Sequence, residues 1–343
     1  VITAGFKEVG GPGIEREKQL ARAIHEHGMR MVGPNCMGLV NTNPAVRLNA
    51  SFARTRPSTG NIGFMSQSGA LGEAILSIAQ KKGIGFSMFV SVGNKTDVSG
   101  NDLLLYWENE PSTSVILLYL ESFGDPRRFT RIARRISRNK PIIAVKAGRT
   151  TAGARAVSSH TGALAGRDLA TDLMFEQCGV IRATSVEELF DLAPAFSNLK
   201  PPSGPRVGIV TNAGGPGILA TDACVSRGLV VEAPSAATRE ELRSRLSPDA
   251  SVENPIDLLA GGTPDEYREA IHRMLADPLV DSLIVIFVPP VITRSEEVAR
   301  VICEERGTSD KPMVVCFMGA DEGVPGVTAM RLGGIPVYTF PES

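Results

Sequence analysis

Paired cysteines, long apolar runs and an excess of either charge are all missing from this 343-residue chain. The five cysteines, Cys36, Cys178, Cys224, Cys303 and Cys316, lie far apart with no Cys-x-x-Cys pair, which argues against a disulfide framework and a zinc site, and no metal is expected. The longest apolar stretches, such as 115–120 and 283–288, are strand-length, far short of the roughly 20 residues that span a bilayer. No membrane partner is expected. The 36 basic residues nearly cancel the 37 acidic ones, and no basic run interleaved with aromatics occurs, so nucleic acid is not an expected partner either. These absences predict a soluble protein of a reducing, cytoplasmic compartment.

Several catalytic signatures are also absent. The chain has no Gly-x-x-x-x-Gly-Lys-Ser/Thr and no His-Glu-x-x-His, and the glycine positions of a nucleophile elbow around Ser68 hold Ser66 and Ala70. That leaves no sequence support for a P-loop, a zinc hydrolase or a serine hydrolase. Neither an initiator Met nor a signal peptide opens the chain. Val1 to Gly5 reads as the end of a strand belonging to a unit that starts earlier.

What is present is a rhythm. Short apolar or β-branched runs at 61–65, 86–90, 115–120, 141–146 and 179–182 alternate with helical patterns, as in a doubly wound parallel sheet. Asp125 and Pro126 read as the N-cap and first position of a helix over 127–138. The segment 199–205, rich in Pro and Gly, reads as a linker. Beyond it the rhythm resumes, with strands expected at 207–211, 229–232, 283–288, 312–317 and 335–338. Gly63, Gly69, Gly72 and Gly83 recur 145 residues later as Gly208, Gly214, Gly217 and Gly228, a weak internal repeat. The expected fold class is α/β. Two successive doubly wound domains, 56–200 and 206–343, follow a segment 1–55 with a helix at about 14–26.

The repeat includes two turns, Ser66-Gln67-Ser68-Gly69-Ala70 and Thr211-Asn212-Ala213-Gly214-Gly215, each after a strand and before a helix. Free backbone N–H groups and the helix dipole make such turns anion sites, although glycine turns also serve close packing alone. In an open α/β sheet ligands gather at the carboxyl ends of the strands. Glu121, the segment 91–95, the Ser68 turn and the segment around His160 all follow strands of the first domain. His160 stands in a run of small residues, 158–166, and reads as a loop-borne nucleophile. An attacking imidazole needs a partner on its other nitrogen, and Glu121 is the candidate, its alternative being a solvated or Arg-paired strand end. His25, His27 and His272 read as surface residues. Cys36 is the one cysteine in a Gly-rich loop, and the other four read as core thiols.

Four stretches, 33–38, 65–72, 158–166 and 211–217, resemble the ADP-forming acyl-CoA synthetases of the acetate–CoA ligase type, in the superfamily of succinyl-CoA synthetase, in order and spacing over nearly the whole chain. The resemblance implies that both domains are flavodoxin-like and that 1–55 is the end of a CoA-binding Rossmann domain. It implies an acid–thiol ligase in which acyl-CoA and phosphate give an acyl phosphate, whose phosphoryl group passes through His160 to ADP. Glu121 is then the carboxylate that steadies the histidine. Ser68, Gly69 and Ala70, with Ala213, Gly214 and Gly215, form the two phosphate-holding helix starts. Asn35 and Cys36 lie where the acyl and thioester end is bound, and 254–257 matches a further loop. ADP or ATP and Mg²⁺ are implied only with an ATP-grasp domain or subunit, as is a homo- or hetero-oligomer. The alternative implied reading is a metabolite-sensing regulatory region fused to a protein-lysine acetyltransferase.

Overall fold

The computed structural model describes residues 1–161, 168–289, 295–319 and 325–343, the side chains of 156, 158–161 and 325 excepted. It divides into two units, Val1–Ala193 and Pro194–Ser343.

In the first unit the strands are β1 (Gly38–Asn41), β2 (Leu48–Ser51), β3 (Thr59–Ser66), β4 (Phe86–Ser91), β5 (Val115–Leu120), β6 (Ile142–Lys146) and β7 (Val180–Ala183). They form one sheet in the order β2-β1-β4-β3-β5-β6-β7. The five strands from β4 to β7 run parallel, while β1 is antiparallel to both β2 and β4. The helices are α1 (Pro12–Glu26), α2 (Gly69–Lys81), α3 (Gly100–Asn109), α4 (Pro126–Ile136), α5 (Thr151–Thr161), α6 (Asp168–Cys178) and α7 (Val186–Asn198).

Alternation along β5 shows why the sheet is covered on both sides. Val115 and Leu117 join a core with Phe64, Phe86 and Phe89 under α2 and α7. Ile116, Leu118 and Leu120 join another, with Trp107 of α3, Ile132 of α4 and Phe175 of α6. A strand buried on both faces reads as a continuous apolar run, the signature of a parallel sheet. In α4 the buried residues Phe129, Ile132, Ala133 and Ile136 form one stripe, and arginines fill the rest. Asp125 caps it by accepting from the Arg128 amide at 3.0 Å.

Residues 1–55 differ from the expectation of a separate remnant, because β1 and β2 extend the first unit's own sheet and the segment belongs to that unit. The strand end expected at Val1 to Gly5 does not form. The Val1 amine instead donates to the Val32 carbonyl at 2.8 Å and the Asn35 amide to that of Thr3 at 3.0 Å, isolated contacts rather than a ladder.

In the second unit β8 (Val207–Thr211), β9 (Ile256–Asp257), β10 (Ser282–Phe287), β11 (Met313–Phe317) and β12 (Val337–Tyr338) form a parallel sheet in the order β12-β11-β10-β8-β9. Its helices are α8 (Gly214–Ser226), α9 (Ala236–Arg245), α10 (Pro264–Ala276), α11 (Ser295–Arg306) and α12 (Pro325–Leu332). The strand expected at 229–232 is reduced to one bridge, Arg206 to Val230. Asn254 explains this. Its amide donates to the carbonyls of Val207 and Glu232 at 2.8 and 2.9 Å and accepts from the Ile209 amide at 2.9 Å, so a side chain occupies the edge of β8 that a longer strand would need. Among the described residues no helix is long and apolar enough to cross a membrane.

The internal repeat is real in three dimensions. A Cβ on Gly63 would lie 2.8 Å from the Trp107 ring, and one on Gly208 2.7 Å from Met274 Cε, so each glycine lets a helix side chain press on its strand, β3 in one unit and β8 in the other. Gly63→Val is therefore expected to destabilise the first unit by about 1–3 kcal/mol through overpacking. Urea denaturation measures this, and an unchanged midpoint would show that the Trp107 contact is slack.

Candidate active site

The carboxyl edge of the first unit's sheet is assembled by hydrogen bonds between consecutive strand ends. Ser66 Oγ, the last side chain of β3, donates to the Ser68 carbonyl at 2.7 Å and accepts from the Ser68 amide at 3.1 Å. Ser68 caps α2, its Oγ accepting from the Leu71 amide at 3.3 Å. Gly69 and Ala70 occupy the first turn, where backbone N–H groups have no acceptor within the helix. Between Ser66 and Ser68, Gln67 reaches across to the end of β5. Its Oε1 accepts from the amides of Glu121 and Ser122 at 2.8 and 2.9 Å, and its Nε2 donates to the Ser122 carbonyl at 2.7 Å.

The second unit repeats this device 145 residues later. Thr211 Oγ1 donates to the Ala213 carbonyl and accepts from the Ala213 amide, both at 3.0 Å. Asn212 accepts from the Val288 amide at 2.9 Å and donates to its carbonyl at 2.8 Å, clamping the end of β10 as Gln67 clamps that of β5. Ala213 is the N-cap of α8 and has no side-chain acceptor, so the N–H groups of Gly214 and Gly215 in the first turn have no acceptor among the described residues.

Glu121 follows β5 and is nine-tenths buried, and among the described residues its carboxylate has no hydrogen bond or ion pair, with an arginine or otherwise. Its charge acts on two lysines that the sequence reading gave no role. Lys95, after β4, has a left-handed backbone (φ 58°), and its Nζ donates to Ser122 Oγ at 2.6 Å and to the Ser122 carbonyl at 3.2 Å. Burial pushes its ammonium down to about 8, Lys7 and Lys146 add to that, and Glu121 opposes it. Lys146, the last residue of β6, is 7% exposed, and burial lowers it too, against the pull of Asp168 and Glu121. The readable signal for both was a lysine ending or following an otherwise apolar strand.

The loop 33–36 meets the same edge. The amides of Asn94 and Thr96 donate to the carbonyls of Pro34 and Gly33 at 3.0 and 3.3 Å. Asn35 Nδ2 donates to Asn94 Oδ1 at 3.3 Å. Gly93 makes the interlock possible, since a Cβ there would stand 2.3 Å from the carbonyl oxygens of Pro34 and Asn35. Cys36 is buried like Cys178, Cys224 and Cys316, whereas Cys303, expected in the core, is half-buried; burial pushes the Cys36 thiol up, which keeps it protonated. Asn35, Cys36, the Ser68 turn and Glu121 thus belong to one unit, and the Ala213 turn to the other.

The segment carrying His160 departs from the expected loop: its backbone from Thr151 to Thr161 is helical. Alanine is the strongest helix former, and Thr150 Oγ1 accepts from the Gly153 amide at 3.0 Å in the manner of an N-cap. The His160 side chain and residues 162–167 lie outside the described residues, so the expected pairing of His160 with Glu121 does too. Of the other histidines, His27 Nδ1 lies 2.8 Å from the Ala23 carbonyl oxygen at the end of α1, and His272, exposed as expected, pairs with Glu305 at 3.0 Å.

Residues 59–196 match the family described as succinyl-CoA ligase like flavodoxin domain, and residues 207–341 the Ligase-CoA domain. Over its whole length the chain is 41% identical to acetate–CoA ligase (ADP-forming) II subunit alpha of Pyrococcus furiosus, covering 75% of that subunit. The chain belongs to the ADP-forming acyl-CoA synthetases. It is 38% identical to the 4-hydroxybutyrate–CoA ligase (ADP-forming) of Nitrosopumilus maritimus, of which it spans 49%. The dinucleotide forming acetyl-coenzyme A synthetase 1 of Ca. Korarchaeum cryptofilum, in complex with phosphate and ADP, superposes with a TM-score of 0.94 at 39% identity, covering 100% of this chain and 74% of that one. An acyl-CoA synthetase of this ADP-forming kind is an acid–thiol ligase. All three relatives are ligases or synthetases, which leaves the regulatory alternative without support.

Proposed function

We propose that this chain is the CoA-ligase part of an enzyme that interconverts acyl-CoA, ADP and phosphate with a carboxylic acid, CoA and ATP. Phosphate attacks the thioester carbonyl and the CoA thiolate leaves, giving an acyl phosphate. An imidazole nitrogen of His160 then attacks the phosphorus in line, the carboxylate leaves, and the phosphoryl group passes from the histidine to ADP. Phosphoryl transfer needs positioning and charge stabilisation more than covalent help. Glu121 fixes the tautomer of the imidazole and stabilises the positive charge that develops on it. The helix starts at Ser68 to Ala70 and at Ala213 to Gly215 hold the phosphate at its two stations. Asn35 and Cys36 face the acyl and thioester end, where a protonated thiol serves as a wall and not as a competing nucleophile. An ATP-grasp domain or subunit, with Mg²⁺, supplies the nucleotide site, and the residues 1–55 contribute to CoA binding.

The observation that supports this most is the duplicated helix start, one copy per unit, each tied to its neighbouring strand by an amide clamp. The full-length protein with its ATP-grasp portion, given ADP, Mg²⁺, phosphate and a panel of acetyl-, branched- and aryl-CoA thioesters, is expected to form ATP and release free CoA with at least one of them. Thioester cleavage without ATP, or no cleavage of any thioester, would reject the reading.

A further inference from the structure

Two ammonium groups at the carboxyl edge of the first unit's sheet have no carboxylate within ion-pairing distance among the described residues. Lys140 and Lys311 share that lack, but each precedes its strand, and their Nζ groups are taken up by the carbonyls of Trp107 and Glu110 and of Asp277. Several other partly buried cations are matched. Lys7 pairs with Glu17 at 3.1 Å, Arg182 with Asp168 and Asp172, and Arg206 with Asp281 at 2.7 Å. Lys146 Nζ has only the Ala147 carbonyl, at 2.5 Å, and Lys95 Nζ only the hydroxyl and carbonyl oxygens of Ser122. An ammonium held out of water without a counter-charge destabilises the fold, and replacing it by an apolar side chain of similar length is commonly neutral or favourable. These lysines therefore do not earn their place by holding the unit together.

Their placement is specific. Leu120 and Lys146 are register partners on β5 and β6, so Glu121 lies one residue beyond Lys146 on the next strand. Ser122, which holds Lys95, is the residue after that, and Gln67 fixes the backbone of both Glu121 and Ser122. One carboxylate thus stands between two cations that have no ion pair of their own among the described residues, beside the Ser68 helix start. A dianion fits such a place.

We propose that Lys95 and Lys146 are phosphate-binding residues that grip the phosphoryl oxygens of inorganic phosphate and of the acyl phosphate while Glu121 attends to the histidine. This rests on the phosphoryl-transfer reading above and adds to it a pair of side-chain cations where the helix starts provide backbone N–H groups. A bound dianion favours the charged lysines, so phosphate binding takes up protons. Around Lys95 the charged groups are Lys7, Glu121 and Lys146, and around Lys146 they are Asp168, Arg182 and Glu121. Without ligand Lys95 loses its charge as pH passes about 8. Phosphate is already a dianion there, so its apparent affinity is expected to fall between pH 8 and 9.5 with no change in the phosphate itself.

The test uses the full-length enzyme and the variants Lys95→Met, Lys146→Met and their Arg counterparts. Each Met variant is expected to raise KM for phosphate about 10–100-fold, the worth of a charge-assisted hydrogen bond, with KM for ADP and acyl-CoA within about twofold and an unchanged or higher Tm. The Arg variants are expected to recover most of the phosphate affinity. A phosphate KM unmoved by either Met substitution, or an equal rise for all three substrates, overturns the proposal. So does a wild-type phosphate KM that is flat from pH 8 to 9.5, a measurement that needs no variant to fold. If the wild type forms no ATP, the functional reading itself has failed. Calorimetric titration of phosphate into the same proteins then still decides whether the lysines hold the anion.

Discussion

His160→Ala is expected to abolish the phosphoryl label that radioactive phosphate leaves on the full-length protein, and to lower ATP formation by at least about a thousandfold, because His160 is the phosphoryl carrier in the proposed mechanism. The label is expected to be acid-labile and base-stable, the behaviour of a phosphohistidine and not of a phosphoserine or acyl phosphate. Glu121→Gln separates attack from orientation. The amide keeps the shape of the side chain but removes the charge that offsets the developing imidazolium. Labelling is therefore expected to persist at a rate lowered by about 10²–10⁴-fold. A label that survives His160→Ala undiminished would move the carrier elsewhere, and one indifferent to Glu121→Gln would leave that carboxylate a spectator. The helical backbone from Thr151 to Thr161 gives the carrier hypothesis a mechanical side: a helix moves as a body, so a shift of its start at Thr150 is passed on to His160.

How far the sequence could be read varied with the physics of each element. The central strands β5, β6, β10 and β11 were legible because burial on both faces leaves an uninterrupted apolar run, and α4 because Asp125 and Pro126 mark its start. The antiparallel strands β1 and β2 escaped notice; at the edge strand β2, Leu48 to Ser51 are mostly exposed and carry no hydrophobic alternation. The expected strand at 229–232 failed for a reason no local window contains, a competing side chain, Asn254, that arrives from more than twenty residues away. The His160 segment reads as a loop because its small residues suggest flexibility, but Ala152, Ala154 and Ala156 at its start favour a helix. Within the site the glycine turns and Glu121 could be found from strand ends alone. Lys95 and Lys146 could not, because a lysine in sequence looks solvated, and only the fold shows that these two are enclosed without a counter-charge.

Gln67→Leu is expected to have the larger effect of two matched substitutions, because Gln67 ties the fold to the chemistry. Its Oε1 is the acceptor for two consecutive backbone amides, of Glu121 and Ser122, and its Nε2 satisfies the Ser122 carbonyl. Leucine fills much of the same volume but leaves those groups without partners at a largely buried edge. Each unsatisfied group costs about 1–3 kcal/mol, and part is recovered where water reaches Ser122, so the net loss is expected to be about 2–4 kcal/mol. The consequence for function is larger than for stability. Released from the clamp, the β5 end no longer holds Glu121 in place or offers Ser122 to Lys95. Turnover is expected to drop by about 10²-fold or more at temperatures where the variant is still folded. Asn212→Leu, its counterpart in the second unit, removes a clamp on a single residue, Val288, and is expected to cost about half as much stability. Because the first unit contains Glu121 and the second does not, Asn212→Leu is also expected to leave the rate of His160 labelling by phosphate and acyl-CoA less affected than ATP formation. Thermal melts together with labelling and ATP assays on both variants check this ordering. Equal losses in labelling from the two substitutions would mean that the clamps serve only to hold their sheets together.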